Sequence, residues 1–212
     1  MITKVLWKNG PVWESYRTDL ELSIRTIKNE GHKKDLLELY AERCNMNNYL
    51  WLLVVIFIFH DMEEIVGVNE WINKNYDSIV EEYPFARKVL SNYLGVSTGA
   101  FALAVYEELI LLIVICLLAS LTHSPIVYGI WFGGLVGFTI HLFIHIGQAL
   151  IIRRYIPALI TSIISIPPSI MLILKTAPLL EMSPTVISGI IFGILGVAIN
   201  LKFAHKLMHK YN

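Results

Sequence analysis

Charge is scarce in this sequence. Only 16% of its 212 residues are Asp, Glu, Lys or Arg, and the 17 basic residues match the 17 acidic ones, so no net charge draws the chain to nucleic acid. Cysteine is nearly absent as well: Cys44 and Cys116 stand far apart, one in a polar region and one in an apolar run, which excludes a disulfide framework and a Cys-based metal site. No internal repeat is visible, and the first apolar run is not a cleaved signal sequence, because it lies deep in the chain and ends in Glu63-Glu64 rather than at small residues. What the chain has instead is apolar length. Its hydrophobic share of 55% and mean hydropathy of +0.59 exceed those of an ordinary soluble domain and indicate an integral membrane protein in a lipid bilayer.

About 20 apolar residues cross a hydrocarbon core as a helix. Five windows qualify, 49–67, 97–121, 125–150, 155–174 and 184–203, which predicts an all-α bundle of five transmembrane helices. Pro167-Pro168 falls inside the fourth window and is expected to kink it. Between the first two windows, residues 68–96 mix Trp71, Tyr76, Tyr83 and Phe85 with charges, the composition of an interfacial segment. Lys74, Arg87, Lys88, Arg153, Arg154, Lys202, Lys206 and Lys210 all fall on one side of such a bundle, against Lys175 on the other. That asymmetry predicts a multi-pass protein of the cell membrane with its N-terminus outside and its C-terminus in the cytoplasm. The polar stretch 1–45 disagrees, since its eight basic residues would lie outside. Two readings follow: an extension upstream of a native start at Met46, with 46–212 as the transmembrane domain, or an amphipathic surface segment around Leu20–Tyr40.

The scarce charges that do enter the apolar windows are informative, because each ionisable group at membrane depth costs about 2.5–3.5 kcal/mol by insertion scales and persists only where something binds or pairs with it. His60, Glu63 and Glu64 stand at i, i+3 and i+4, and His141, His145 and Gln148 at i, i+4 and i+7, each set on one helix face. Glu107-Glu108 interrupts a third apolar run. At about 1.5 Å per residue, all three sets lie roughly 6–15 Å inside the same predicted face of the membrane. Carboxylates and imidazoles from facing helices at one depth suit a divalent metal, with zinc and iron favoured by the mixed donors. The candidate ligands are His60, Glu63, Glu64, Glu107, His141 and His145. Gly134 and Gly137 continue the face of His141 and would let another helix come close. Buried ion pairs among the same groups are the structural alternative.

The string His60-Asp-Met-Glu63-Glu64 at the end of a first span resembles the signature of the HXXEE family of small multi-pass membrane proteins. A second stretch agrees. His145-Ile-Gly-Gln148, then Arg153-Arg154-Tyr155-Ile-Pro157-Ala-Leu-Ile-Thr161, is similar to that family's membrane histidine, basic pair and Tyr-x-Pro-Gly-x-x-Thr pattern, with Ala158 where glycine is expected. The resemblance covers roughly 46–175 and implies a multi-pass protein with a metal site, without an established reaction. Other membrane chemistries lack their residues here. No Glu-Glu-x-x-x-Arg follows either acidic pair, no His-Glu-x-x-His occurs, and seven histidines are too few and too scattered for a desaturase. Two functions remain open: a metal-dependent membrane enzyme, a hydrolase or oxidase acting on a lipid or isoprenoid-like substrate, with a spare carboxylate as general base, or a small transport or binding protein that relays ions or protons through the same groups.

Overall fold

The architecture was obtained as a computed structural model. It describes residues 30–212, with side chains from residue 46 onward. The extension expected over 1–45 lies outside the described residues as far as 29, and only its last part is seen, as helical backbone. The chain divides into two units, Met1–Cys44 and Asn45–Asn212, and the packing described below is that within the second.

The described residues form helices and no strand. In order, they are α1 (Glu30–Glu82), a 3₁₀ turn Pro84–Ala86, α2 (Arg87–Leu90), α3 (Thr98–Thr122), α4 (Pro125–Ile152), α5 (Leu159–Thr176), a second 3₁₀ turn Ala177–Leu179, and α6 (Pro184–Lys210). Local sequence sets the starts. The Ser97 and Ser183 hydroxyls accept the backbone N–H of Ala100 and Val186 and so cap α3 and α6. Pro125 and Pro184 begin α4 and α6, where a missing N–H costs nothing. Pro167 and Pro168 lie inside α5, which continues through them.

Four helical stretches are long and apolar enough to cross a membrane: Thr98–Thr122, Pro125–Ile152, Leu159–Leu179 and Pro184–Lys210. Five had been expected. The first apolar run is part of α1, but it meets His60, Asp61, Glu63 and Glu64 after about ten residues and is not among the four. The expected interfacial segment is not a separate element either. Residues 68–82 prolong α1, and Ile79 joins Ala86, Ala149, Ile152 and Ile156 in a small second core. Ala149 and Ile152 of α4 are among its partners, so the prolonged helix packs along the end of α4.

The main core is threaded by α1. The carbonyl of Leu50 accepts the indole N–H of Trp131 on α4 at 3.2 Å and faces the Cys116 thiol of α3 at 3.5 Å, all three side chains being buried. The outer faces carry large exposed apolar residues, among them Val55, Ile110, Leu150, Leu174 and Ile199, a surface suited to lipid contact.

Glycines bring the backbones of α4 and α6 into close approach. A Cβ on Gly129 would stand 2.5 Å from the Val186 carbonyl oxygen, and Cβ atoms on Gly133 and Gly193 would collide with the facing backbones at Ile190 and Ile130. Small residues four apart on both helices allow this contact. The sequence pointed to Gly134 and Gly137. Gly137 does face α6, where an added Cβ would stand 3.1 Å from Val197 Cγ2, but a Cβ on Gly134 would meet nothing within 4 Å. We therefore expect Gly133→Val to lower stability by about 3 kcal/mol or more, since backbone cannot yield as a side chain does, while Gly134→Ala stays within about 0.5 kcal/mol of the parent. Unfolding midpoints in a mild detergent distinguish the two.

Candidate metal centre

His60 lies on α1 with no exposed surface. Its ring stands 5.6 Å from that of His141 and 5.2 Å from that of His145, both on α4, and those two are 4.3 Å apart, centroid to centroid. Glu64, one turn beyond His60, places Oε1 3.0 Å from His145 Nε2, and His145 Nε2 lies 2.8 Å from His141 Nε2. Ligand atoms of His60, Glu64, His141 and His145 all fall within 4.8 Å of one another.

Glu63 points elsewhere. Its carboxylate accepts three hydrogen bonds, from the Tyr155 hydroxyl at 2.6 Å and from the Thr161 hydroxyl and backbone N–H at 2.7 Å each. Partial burial and then the bond to Glu63 push the Tyr155 phenol up to about 12, so it remains a donor at neutral pH. Thr161 is the hinge of the arrangement. It has one hydroxyl proton, and the Glu63 oxygen is its nearest acceptor, nearer than the carbonyls of His60 at 3.3 Å and Ala158 at 3.4 Å. Its oxygen can then accept the Nδ1–H of His60, 3.2 Å away. That bond fixes the imidazole with its proton on Nδ1 and a lone pair on Nε2, and His60 Nε2 is buried with no protein partner. A lone pair held in this way by an acid behind the ring is how metal-ligating histidines are oriented.

The loop between α4 and α5 delivers Thr161. Arg153 ends α4 in the left-handed region, at φ 54°. Arg154 bonds Ser78 and Glu82 at the far end of α1, at 2.8 and 2.9 Å. Pro157 presses on Gly67, where a Cβ would come within 3.2 Å of its ring. Ala158 then takes φ 77°, ψ −7°. The chain thus keeps the backbone that glycine adopts without cost, and an alanine bears it, fully buried.

Of the residues expected to ligate, four converge and two do not. Glu63 sits behind His60, and Glu107 bonds Asn200 of α6 at 3.2 Å, outside the four-residue group. The neighbour, Glu108, faces inward. It lines a cavity of about 410 Å³ together with Glu64, His141 and His145 from the group, and with Gln148. Asp61, absent from the expected set, lines the same cavity with a buried Oδ2 that has no protein partner. Asp61 was legible only as part of the acidic string, whereas Tyr155 and Thr161 stood in the second motif.

The donor set fits a divalent ion. Three imidazoles and one carboxylate bound at about 2.1 Å and tetrahedral angles lie about 3.4 Å apart, so the 2.8 and 3.0 Å contacts would open by tenths of an ångström and the widest separations, up to 4.8 Å, would close by about an ångström. Residues 51–172 match the model of the family described as protein of unknown function with HXXEE motif. No curated protein and no solved structure matches the chain.

Substitutions at Ala158 test the turn. Glycine would relieve about 1–2 kcal/mol of backbone strain but lose a buried methyl worth about 0.8 kcal/mol and some unfolded-state restraint, so Ala158→Gly should lie within about 1 kcal/mol of the parent. Ala158→Val, with a branched Cβ at positive φ, should cost about 2 kcal/mol or more, read as a lowered unfolding midpoint.

Proposed function

Taking as premise that the chain belongs to the family with the HXXEE motif, we propose that it is a multi-pass membrane protein that binds one divalent metal, zinc or iron, through His60, Glu64, His141 and His145, and uses it on an apolar, lipid-like molecule held in the adjoining cavity. The observation that carries this reading is His60: its Nδ1 lies 3.2 Å from the Thr161 hydroxyl, which also meets Glu63, and its buried Nε2 has no protein partner. Leaving a buried polar atom unpaired costs about 1–3 kcal/mol, and a cation removes that cost for His60 while binding the neighbouring donors.

A divalent ion would supply Lewis-acid polarisation of a substrate oxygen or an activated water. The protein's part is to hold the substrate and move a proton. The cavity wall is mostly apolar, with Trp71, Phe101 and Leu201 among its residues, and exposed Ile144 and Ile151 at its rim allow entry sideways from lipid. Glu108 lines the same cavity outside the four-residue group and is the spare carboxylate for proton transfer. A relay for ions or protons would need a polar path across the bundle, which this apolar wall does not favour.

Metal analysis of the purified protein tests the site. We expect about one zinc or iron per chain, and His60→Ala or His145→Ala should lower that stoichiometry without preventing membrane insertion. Thr161→Val keeps every ligand but frees the His60 ring, and should weaken binding about 10–100-fold, as loss of an orienting partner does. A protein that carries no metal and takes up none when titrated with zinc or ferrous iron would leave buried ion pairs as the better account.

The same reading keeps the C-terminus in the cytoplasm. The ends that carry the basic residues cluster together: Arg154 meets Glu82, and Asn212 bonds both Gly95 and Ser97. A C-terminal reporter active only outside the cytoplasm would reverse the orientation.

A further inference from the structure

We propose that the larger cavity binds a lipophilic amine, an apolar chain whose single ammonium group is received by Asp61 and Glu108. The proposal deepens the reading of the same site and rests on it for the apolar substrate, though not for the metal.

The wall of the cavity is one-sided in charge. Its polar members are the carboxylates of Asp61, Glu64 and Glu108, the imidazoles of His141, His145 and His205, and the Tyr93 and Gln148 side chains; among the described residues that line it there is no lysine or arginine. Glu64 is already engaged with His145. Asp61 is not so placed: it is 5% exposed, and its Oδ2 is buried without a protein partner. Asp61 and Glu108 line both this cavity and a second one of about 150 Å³, so the two carboxylates stand on the partition between them, one on α1 and one on α3.

A phosphate, sulfate or carboxylate head placed there would meet like charge in a poorly solvated site, with no fixed cation of the chain to offset it. An ammonium brings three donors and one positive charge, which answers the Asp61 oxygen and part of the excess negative charge. Trp71, Tyr93 and Phe101 also line this wall, and aromatic rings near a cation favour it. The remaining wall is apolar, and a volume of about 410 Å³ is within the range of ligand sites of drug size. An isoprenoid diphosphate, by contrast, would need basic residues that this wall lacks.

Trp71 makes the proposal measurable. The full chain in nanodiscs of zwitterionic phosphatidylcholine is titrated with ω-bromododecylamine, ω-bromododecanoate or ω-bromododecanol at neutral pH, and bromine quenching of tryptophan is read against Trp71→Phe, which isolates the cavity signal. We expect the amine to quench saturably at a concentration about tenfold or more below that of the acid and the alcohol, a difference of about 1.4 kcal/mol. Asp61→Asn and Glu108→Gln should each erase most of that preference. If Asp61→Asn fails to fold, Glu108→Gln and the head-group preference of the parent chain still decide. Equal binding of acid and amine, equal binding of alcohol and amine, or a preference unchanged in the folded variants each overturns the proposal. The titration is run after chelation and after loading with zinc. Amine preference in a protein that binds no metal would uphold this inference while the metal reading fails, and metal binding without amine preference would do the reverse.

Discussion

One side chain, Thr161, links the two motifs of this chain into a single device. Its hydroxyl donates to Glu63 and accepts from His60, and its backbone N–H also reaches Glu63. The first motif alone would leave a buried imidazole free to flip and a carboxylate without donors. The second motif alone would be a turn with no work to do. Joined, they hold α5 against α1 and present His60 Nε2 toward α4. The strained backbone at Ala158 belongs to the same device, because the left-handed residue begins α5 just where the Thr161 N–H must point at Glu63. A helix start leaves its first N–H groups unsatisfied, and here a carboxylate from another helix takes one of them.

The other half of the site depends on a contact far from the chemistry. His141 and His145 can face α1 only if α4 is fixed in rotation. The glycine approach to α6 at Gly129, Gly133, Gly189 and Gly193 supplies that constraint, because backbone against backbone tolerates little turning or sliding. Gly137 carries the contact on to Val197, one turn before His141. Trp131, buried and bonded to the Leu50 carbonyl, ties the opposite side of α4 to α1. The histidine pair is thus positioned by packing on both sides of the helix that bears it.

Much of this was legible in the sequence, and the misses have a common physical cause. The placement of the four membrane-length helices followed from apolar length, and the facing of His60, Glu64, His141 and His145 from their spacing. What spacing cannot give is rotation. At about 100° per residue, Glu64 lies about 40° to one side of His60 and Glu63 about 60° to the other; both count as the same face, yet one turns toward α4 and the other toward α5. Glu107 and Glu108 are harder still, since α3 is apolar all round and offers no polar stripe to orient it. There the structure puts Glu108, and not Glu107, in the cavity wall. The prolonged α1 was missed because its continuation past Gly67 is rich in charge and aromatics, which suits an interfacial segment and a helix packed on α4 equally well. Its partners, Ala149, Ile152 and Ile156, are apolar residues that the sequence had already spent on other spans.

The balance of donors and acceptors in the interior decides between a structural and a chemical role for these groups. Asp61, Glu64 and Glu108 face the same cavity as His141, His145 and His205, and no lysine or arginine among the described lining residues answers them. Protons alone could neutralise such a set, one imidazole for each carboxylate, and a tight ion-pair network would result. The geometry is not that network. Only Glu64 is paired with a histidine, His145 Nε2 is shared between Glu64 and His141, and the buried atoms of this set left without a protein partner are the acceptor nitrogen of His60, Nδ1 of His145 and an oxygen of Asp61. They also differ in place. The two nitrogens belong to the tight four-residue group and the oxygen to a residue that lines two cavities, so no single rearrangement of protons satisfies all three. A cation bound among the imidazoles and a separate donor at Asp61 do so together, which is why the site reads as two adjoining binding positions rather than one salt-bridged core.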